Sequence, residues 1–149
     1  MDSARGDDFI YETQYWRIVL NANQTYLGRC VIILKRPCGD LAEITESEIL
    51  DFFTIVKLIE VVYRELFSAT MFNWSCLMNN AYRTSPPTPQ VHWHLLPRYD
   101  HPVVFAGETF VDPNFGNRAL TDARAINPDI SYKLIETIRL KMAETASPK

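Results

Sequence analysis

The sequence predicts an α+β fold: a mainly antiparallel sheet of about five strands with two helices. Three observations carry this prediction. Segments rich in β-branched and aromatic residues stand before and between two helical segments, without the strand–helix alternation of a parallel sheet. One long segment repeats apolar residues at helical spacing behind a clear start signal. A second helical stripe lies near the C-terminus. At 149 residues, with 47% hydrophobic and 22% charged residues, the chain is expected to form one domain over residues 9–149. Residues 1–8 read as a loose, charged tail.

Taken in order, Tyr15 to Ala22 and Cys30 to Lys35 read as strands. The polar run Asn21-Ala22-Asn23-Gln24 suits their connection, and Gly28 sits where the backbone calls for unusual dihedrals. Thr45-Glu46-Ser47-Glu48 fits a capping box. In that motif a hydroxyl and a carboxylate satisfy the orphan amides of a helix start. Ile49, Phe52, Phe53, Val56, Ile59, Val62 and Leu66 then form an apolar stripe to about Phe67. Phe72 to Met78 reads as a third strand, and Asn79 to Gln90 as a polar loop containing Pro86, Pro87 and Pro89. The strand ending at Arg98 follows, and Val103 to Phe105 is a short fifth strand. Residues 107–127 are expected to be mostly loop. Asn127-Pro128 is a cap followed by proline at the first helical position, and Ile130, Leu134, Ile138 and Met142 mark the second helix.

Several function classes are disfavoured by composition. A net charge of −3 argues against binding a nucleic-acid polymer by phosphate neutralisation. Cys30, Cys38 and Cys76 are odd in number and lack CxxC spacing, so they suggest neither a disulfide framework nor a zinc ribbon. The start of the chain is too polar for a signal peptide, and no apolar run reaches membrane-spanning length. The expected setting is soluble, reducing and cytoplasmic, with no membrane partner.

The most informative stretch is Gln90-Val91-His92-Trp93-His94-Leu95-Leu96-Pro97-Arg98, which holds two of only three histidines. Side chains of a strand alternate between faces. Val91, Trp93 and Leu95 therefore face the core, while Gln90, His92 and His94 line the other side. Three roles are open to such a pair: nucleophilic attack on phosphorus, metal ligation, or polar residues on a half-exposed strand. The metal role lacks partners. His101 lies in a turn, and the spacing of Glu108 and Asp112 does not demand a site.

The segment resembles the signature of the histidine triad (HIT) family, His-φ-His-φ-His-φ-φ-Pro, where φ is apolar. The likeness spans roughly residues 12–100. It includes Asn79, eleven residues before Gln90, and Asn21, seven residues before Gly28. It also takes in Cys30-Val31-Ile32-Ile33-Leu34-Lys35-Arg36-Pro37, Asp40-Leu41 and the Thr45 cap. The resemblance implies an antiparallel sheet with two helices, built as a homodimer. By position, His92 matches the nucleophile, which attacks the α-phosphorus of a nucleotide and forms a nucleotidyl-histidine. His94 matches the histidine near the leaving group, Asn21 a ribose contact, and Asn79 an amide in the phosphate region. No cofactor or metal is implied.

The chain departs from the family pattern twice. Gln90 replaces the first histidine; its amide donates and accepts hydrogen bonds but does not titrate. The family's Gly-x-Gln or Gly-Gln-Ser/Thr turn is replaced by Thr84-Ser85-Pro86-Pro87-Thr88-Pro89. Each proline removes an amide donor, which leaves the Ser85 and Thr88 hydroxyls as candidate phosphate contacts. Arg98, directly after Pro97, is a candidate cation for a phosphate. The expected function is that of a nucleotide phosphohydrolase or nucleotidyl transferase. Its substrate would be a dinucleoside polyphosphate, a nucleoside phosphoramidate or adenylyl sulfate. The alternative is a catalytically weak nucleotide-binding or adaptor protein that keeps the fold.

Overall fold

Ile18, Ile32 and Leu95 are fully buried on one face of a sheet, while their neighbours Val19, Val31 and His94 face the other way. This period-two pattern organises the computed structural model, which describes residues 6–120 and 122–147. The strands are β1 (Phe9–Glu12), β2 (Trp16–Leu20), β3 (Cys30–Leu34), β4 (Met71–Ser75), β5 (His92–Arg98), β6 (Val103–Phe105) and β7 (Glu108–Phe110). The helices are α1 (Glu46–Phe67) and α2 (Pro128–Ala146). The main sheet has the order β1-β2-β3-β5-β4, and every neighbouring pair is antiparallel.

The predicted α+β class, with five strands and two helices, is the observed one, but the fifth strand is a different segment. Val103–Phe105 pairs with Glu108–Phe110 in a separate two-stranded sheet. The main sheet takes β1 instead, a four-residue edge strand too short to give a period-two signal. Residues 1–5 of the expected tail lie outside the described residues. At Asp8 the chain has already joined the sheet, since its carbonyl accepts from the Leu20 N–H at 2.8 Å.

Helix α1 starts as its sequence dictates. Thr45 Oγ1 accepts from the Glu48 N–H (3.2 Å), and the Glu48 carboxylate accepts from the Thr45 N–H (2.9 Å). Arg36 donates to the same carboxylate from Nε at 2.5 Å, tying the end of β3 to the helix. The buried stripe is rotated from the predicted one. Phe52, Ile55, Ile59, Val62, Tyr63 and Phe67 are buried, whereas Ile49 and Phe53 lie on the open flank. Asn127 Oδ1 caps α2 through the Asp129 N–H (2.8 Å), with Pro128 at its first turn. Leu134, Ile138 and Met142 join the same core. Trp16, Trp74 and Trp93 all pack around Phe52, with Trp93 stacked at 4.9 Å and 26°. Trp16 is fully buried in the core, and the partly buried Trp74 and Trp93 pack against it. Among the described residues, no helix is long and apolar enough to cross a membrane.

Both helices contribute to the core on one face of the sheet, which leaves the other face to carry His92 and His94.

Candidate active site

The register of the sheet decides which side chains share the open face. Val31 pairs with His94 and Ile33 with His92 across β3 and β5, while Ser75 pairs with His94 across β4 and β5. Asn73 pairs with Leu96, and one step beyond β3 the same register brings Arg29 opposite Leu96. Asn21, whose N–H donates to the Arg29 carbonyl at 3.0 Å, continues this row. His92 and His94 are side by side, with ring centroids 4.9 Å apart and planes at 75°.

Among the described residues the His92 ring makes one hydrogen bond. Its Nδ1 lies 2.7 Å from the main-chain oxygen of Gln90. A carbonyl only accepts, so Nδ1 carries the proton and Nε2 presents its lone pair. Cys76 is the other potential nucleophile here, its thiol facing the His92 main-chain N–H. Burial pushes the Cys76 thiol above its ordinary pKa, so it stays protonated at neutral pH and is a poor nucleophile.

His94 is half-buried, and its Nδ1 is buried without a hydrogen-bond partner. Burial, then His92, then the Arg29 guanidinium lower its pKa. His94 is therefore neutral at physiological pH.

The Gln90 side chain does not line up with the histidines. Its Nε2 donates to the carbonyls of Leu34 and Arg36 (2.8 Å each), and its Oε1 accepts from the Cys38 N–H at 3.1 Å. The amide thus closes the turn after β3, and only the Gln90 backbone serves the site. A histidine-like role for this side chain is corrected on that ground: all three polar contacts of the amide go to the turn.

Arg98 is also corrected. It is 1% exposed, and its guanidinium is engaged from every side. Nε and Nη2 form a fork on Asp112 (2.6 and 3.0 Å), while Nη1 donates to Asn73 Oδ1 (2.8 Å) and the Asn117 carbonyl (2.9 Å). Nη2 also donates to the Asn114 carbonyl at 2.9 Å. All five donors are engaged within the protein, so Arg98 anchors the 112–117 segment and has none left for a phosphate.

That segment completes a cleft of about 790 Å³ next to His94. Its floor is Asn73, Ser75, His94 and Leu96, and residues 116–120 form a wall. Tyr26 secures the wall by accepting from the Leu120 N–H at 2.7 Å. Arg29 reaches the cleft from a turn built by Gln24, whose Nε2 donates to the carbonyls of Asn21 (2.7 Å) and Arg29 (2.9 Å). Gln24 Oε1 accepts from the Gly28 N–H at 2.8 Å. Gly28 has φ +92°, and an added Cβ would stand 2.8 Å from Tyr63 Cε2. Glycine is therefore required there.

Asn21 Oδ1 accepts from the Asn23 N–H at 2.8 Å, so it shapes this turn on the histidine face. Asn79, Ser85 and Thr88 lie exposed on the loop before β5, and none of them lines the cleft. His101 is bound to Asp100 at 2.8 Å, on the surface. Among the described residues, no three His, Cys, Asp or Glu side chains gather in a group that could hold a metal ion.

Arg29, Asn73 and Ser75 are absent from the sequence-based candidates. The available signal was the alternation Arg29-Val31-Ile33 against Cys30-Ile32-Leu34, readable once β3 is paired with β5.

Residues 4–101 match the family description "HIT domain". A bis(5'-nucleosyl)-tetraphosphatase [asymmetrical] from Schizosaccharomyces pombe is 28% identical over 93 residues, which is 62% of this chain. The chain spans about half, 50%, of that relative's length. Among solved structures, a hypothetical histidine triad nucleotide-binding protein from Sulfolobus tokodaii aligns with TM-score 0.65 at 14% identity, covering 92% of this chain and 84% of that one. A Plasmodium falciparum diadenosine triphosphate hydrolase, solved with cyclomarin A, aligns with TM-score 0.67 at 15% identity, covering 96% and 81%. These structural likenesses bear on the fold. With the domain match extending over well more than half of its length, the chain belongs to the HIT family.

Proposed function

We propose that this protein is a nucleotide phosphohydrolase or nucleotidyl transferase that works through a nucleotidyl-histidine at His92. The observation that carries the reading is the contact of His92 Nδ1 with the Gln90 carbonyl at 2.7 Å, which leaves Nε2 as a free lone pair. The name of the fission-yeast relative supports a substrate with two nucleosides joined through phosphates.

In the proposed reaction the Nε2 lone pair attacks the α-phosphorus. A nitrogen–phosphorus bond forms, the bridging P–O bond breaks, and the leaving oxygen takes the electron pair. The imidazole keeps its Nδ1 proton against the Gln90 carbonyl, which stabilises the positive charge it gains. Water, or another acceptor, then attacks phosphorus and releases the nucleotide. The Nε2 lone pair is restored, and the acceptor's proton passes to solvent. Orienting the imidazole in advance supplies the base-like tautomer that a nucleophile of this kind requires. Neutral His94 lies on the leaving-group side, Asn21 toward the ribose, and Asn79, Ser85 and Thr88 are the candidate phosphate contacts from the loop. The active unit is proposed to be a homodimer.

The test is His92→Ala assayed with dinucleoside polyphosphate. Loss of turnover in a folded variant is the expected result, and undiminished turnover rejects the assignment. Tight nucleotide binding by the wild-type protein without turnover would instead select the binding-protein alternative.

A further inference from the structure

The cleft beside His94 is cationic in an acidic protein. Its lining contains Arg29, Arg98 and Arg118 and no aspartate or glutamate. Asp112 neutralises Arg98 from behind the wall. Arg29 and Arg118 form no ion pair among the described residues, although the whole chain carries a net charge of −3. Arg29 is the more telling of the two. It is half-buried, and its Nε is buried without a hydrogen-bond partner. A guanidinium withdrawn from water is normally paired or hydrogen-bonded. Here the donors stand at a cleft large enough for a sizeable ligand.

The neighbours of Arg29 fit an anion. His94 Nδ1 is also buried and unpartnered. Asn73 uses Oδ1 to accept from Arg98, so its NH₂ is the end left for a ligand. The Ser75 hydroxyl shares the floor. Met71, Leu77 and Leu120 add apolar surface around these donors.

We propose that Arg29 is a specificity-determining residue that binds the phosphate chain of the leaving group, beyond the phosphorus attacked by His92. The inference rests on the hydrolase or transferase reading and adds the substrate class to it. The preferred leaving group is a polyphosphate-bearing nucleotide, because its phosphates meet the Arg29 guanidinium. A neutral amine leaving group gains nothing from Arg29. A guanidinium suits the task because its planar fork matches phosphate oxygens.

The test compares diadenosine triphosphate with adenosine 5'-phosphoramidate, using wild-type protein, Arg29→Met and Arg29→Lys. Arg29→Met is expected to lower kcat/KM on the polyphosphate by about 10- to 100-fold, the range for a lost hydrogen bond to a charged group. The phosphoramidate should change less than about threefold, and Arg29→Lys should recover part of the loss. Equal losses on both substrates, or no loss on the polyphosphate, overturn the assignment. A calorimetric titration with inorganic tripolyphosphate separates this subsite from the catalytic reading. If wild type hydrolyses neither substrate but binds tripolyphosphate, and Arg29→Met weakens that binding about tenfold or more, the catalytic reading fails and the subsite stands. Failure of wild type to bind tripolyphosphate, or equal binding by Arg29→Met, removes the subsite.

Discussion

His92 Nδ1 and the main-chain oxygen of Gln90 are 2.7 Å apart, so the residue at the first triad position orients its neighbour through the backbone. Any side chain at position 90 offers the same carbonyl if the strand stays in place. The Gln90 amide has a separate duty, bonding residues 34, 36 and 38. Gln90→Ala should therefore lower stability by about 1 kcal/mol, the net worth of hydrogen bonds to partly buried groups. Its kcat should fall less than about tenfold while the protein remains folded. Chemical denaturation and steady-state kinetics on the same preparation check this. A collapse of kcat with unchanged stability would assign the side chain to the chemistry.

The pair formed by Arg98 and Asp112 should be the most sensitive polar contact in the fold. Both side chains are buried, at 1% and 0% exposure. Asp112→Ala leaves a buried guanidinium without its counter-charge, and breaking such a pair costs about 3–5 kcal/mol. Denaturant unfolding of the variant measures the loss, and a change below about 1 kcal/mol would place the pair in the weak class of surface ion pairs.

The same pair predicts acid sensitivity. Burial raises the Asp112 pKa, but the Arg98 guanidinium and the N–H groups of Asn114 and Tyr99 outweigh it and hold the carboxyl below its ordinary value. The unfolded chain then binds the proton first as pH falls. Asp112 contributes its stability above about pH 4 and loses it as pH falls toward the lowered pKa. Wild-type stability should drop through this acid range, and Asp112→Ala should show a shallower drop. Parallel pH profiles would contradict the linkage.

His94 should titrate below the usual histidine value of about 6.5, with burial as the leading cause, followed by His92 and Arg29. Its neutral form is the folded form, so protonation favours unfolding as pH drops below about 6.5. Arg29→Met removes one of these influences and should move the His94 midpoint upward in an NMR titration. An unchanged or lower midpoint would show that the guanidinium does not act on this ring.

Much of this architecture was legible because single residues carry physical instructions. Thr45 and Glu48 announce a helix start through hydrogen bonds that only their side chains supply. Asn127-Pro128 does the same for α2. The alternation from Val91 to Leu95 assigned the histidines to the open face without any tertiary information. What escaped depends on distant parts of the chain. Arg98 reads as a cation open to a phosphate until Asp112, Asn114 and Asn117 fold over it. Residues 107–127 have no period to read, yet they supply β7 and the cleft wall. Asn114, Asn117, Leu120, Asp122 and Arg124 are held there by Arg98, Tyr26 and Asn23. Gln90 aligns with the histidines in sequence but sits just before β5 begins, where its amide meets the turn after β3.

The most direct test is intact-mass spectrometry of the protein quenched at neutral to alkaline pH during turnover of a dinucleoside polyphosphate, followed by peptide mapping. A nucleotidyl adduct on His92, absent from His92→Ala, is the predicted result. Turnover with no adduct on that residue, or an adduct mapped to another side chain, contradicts it.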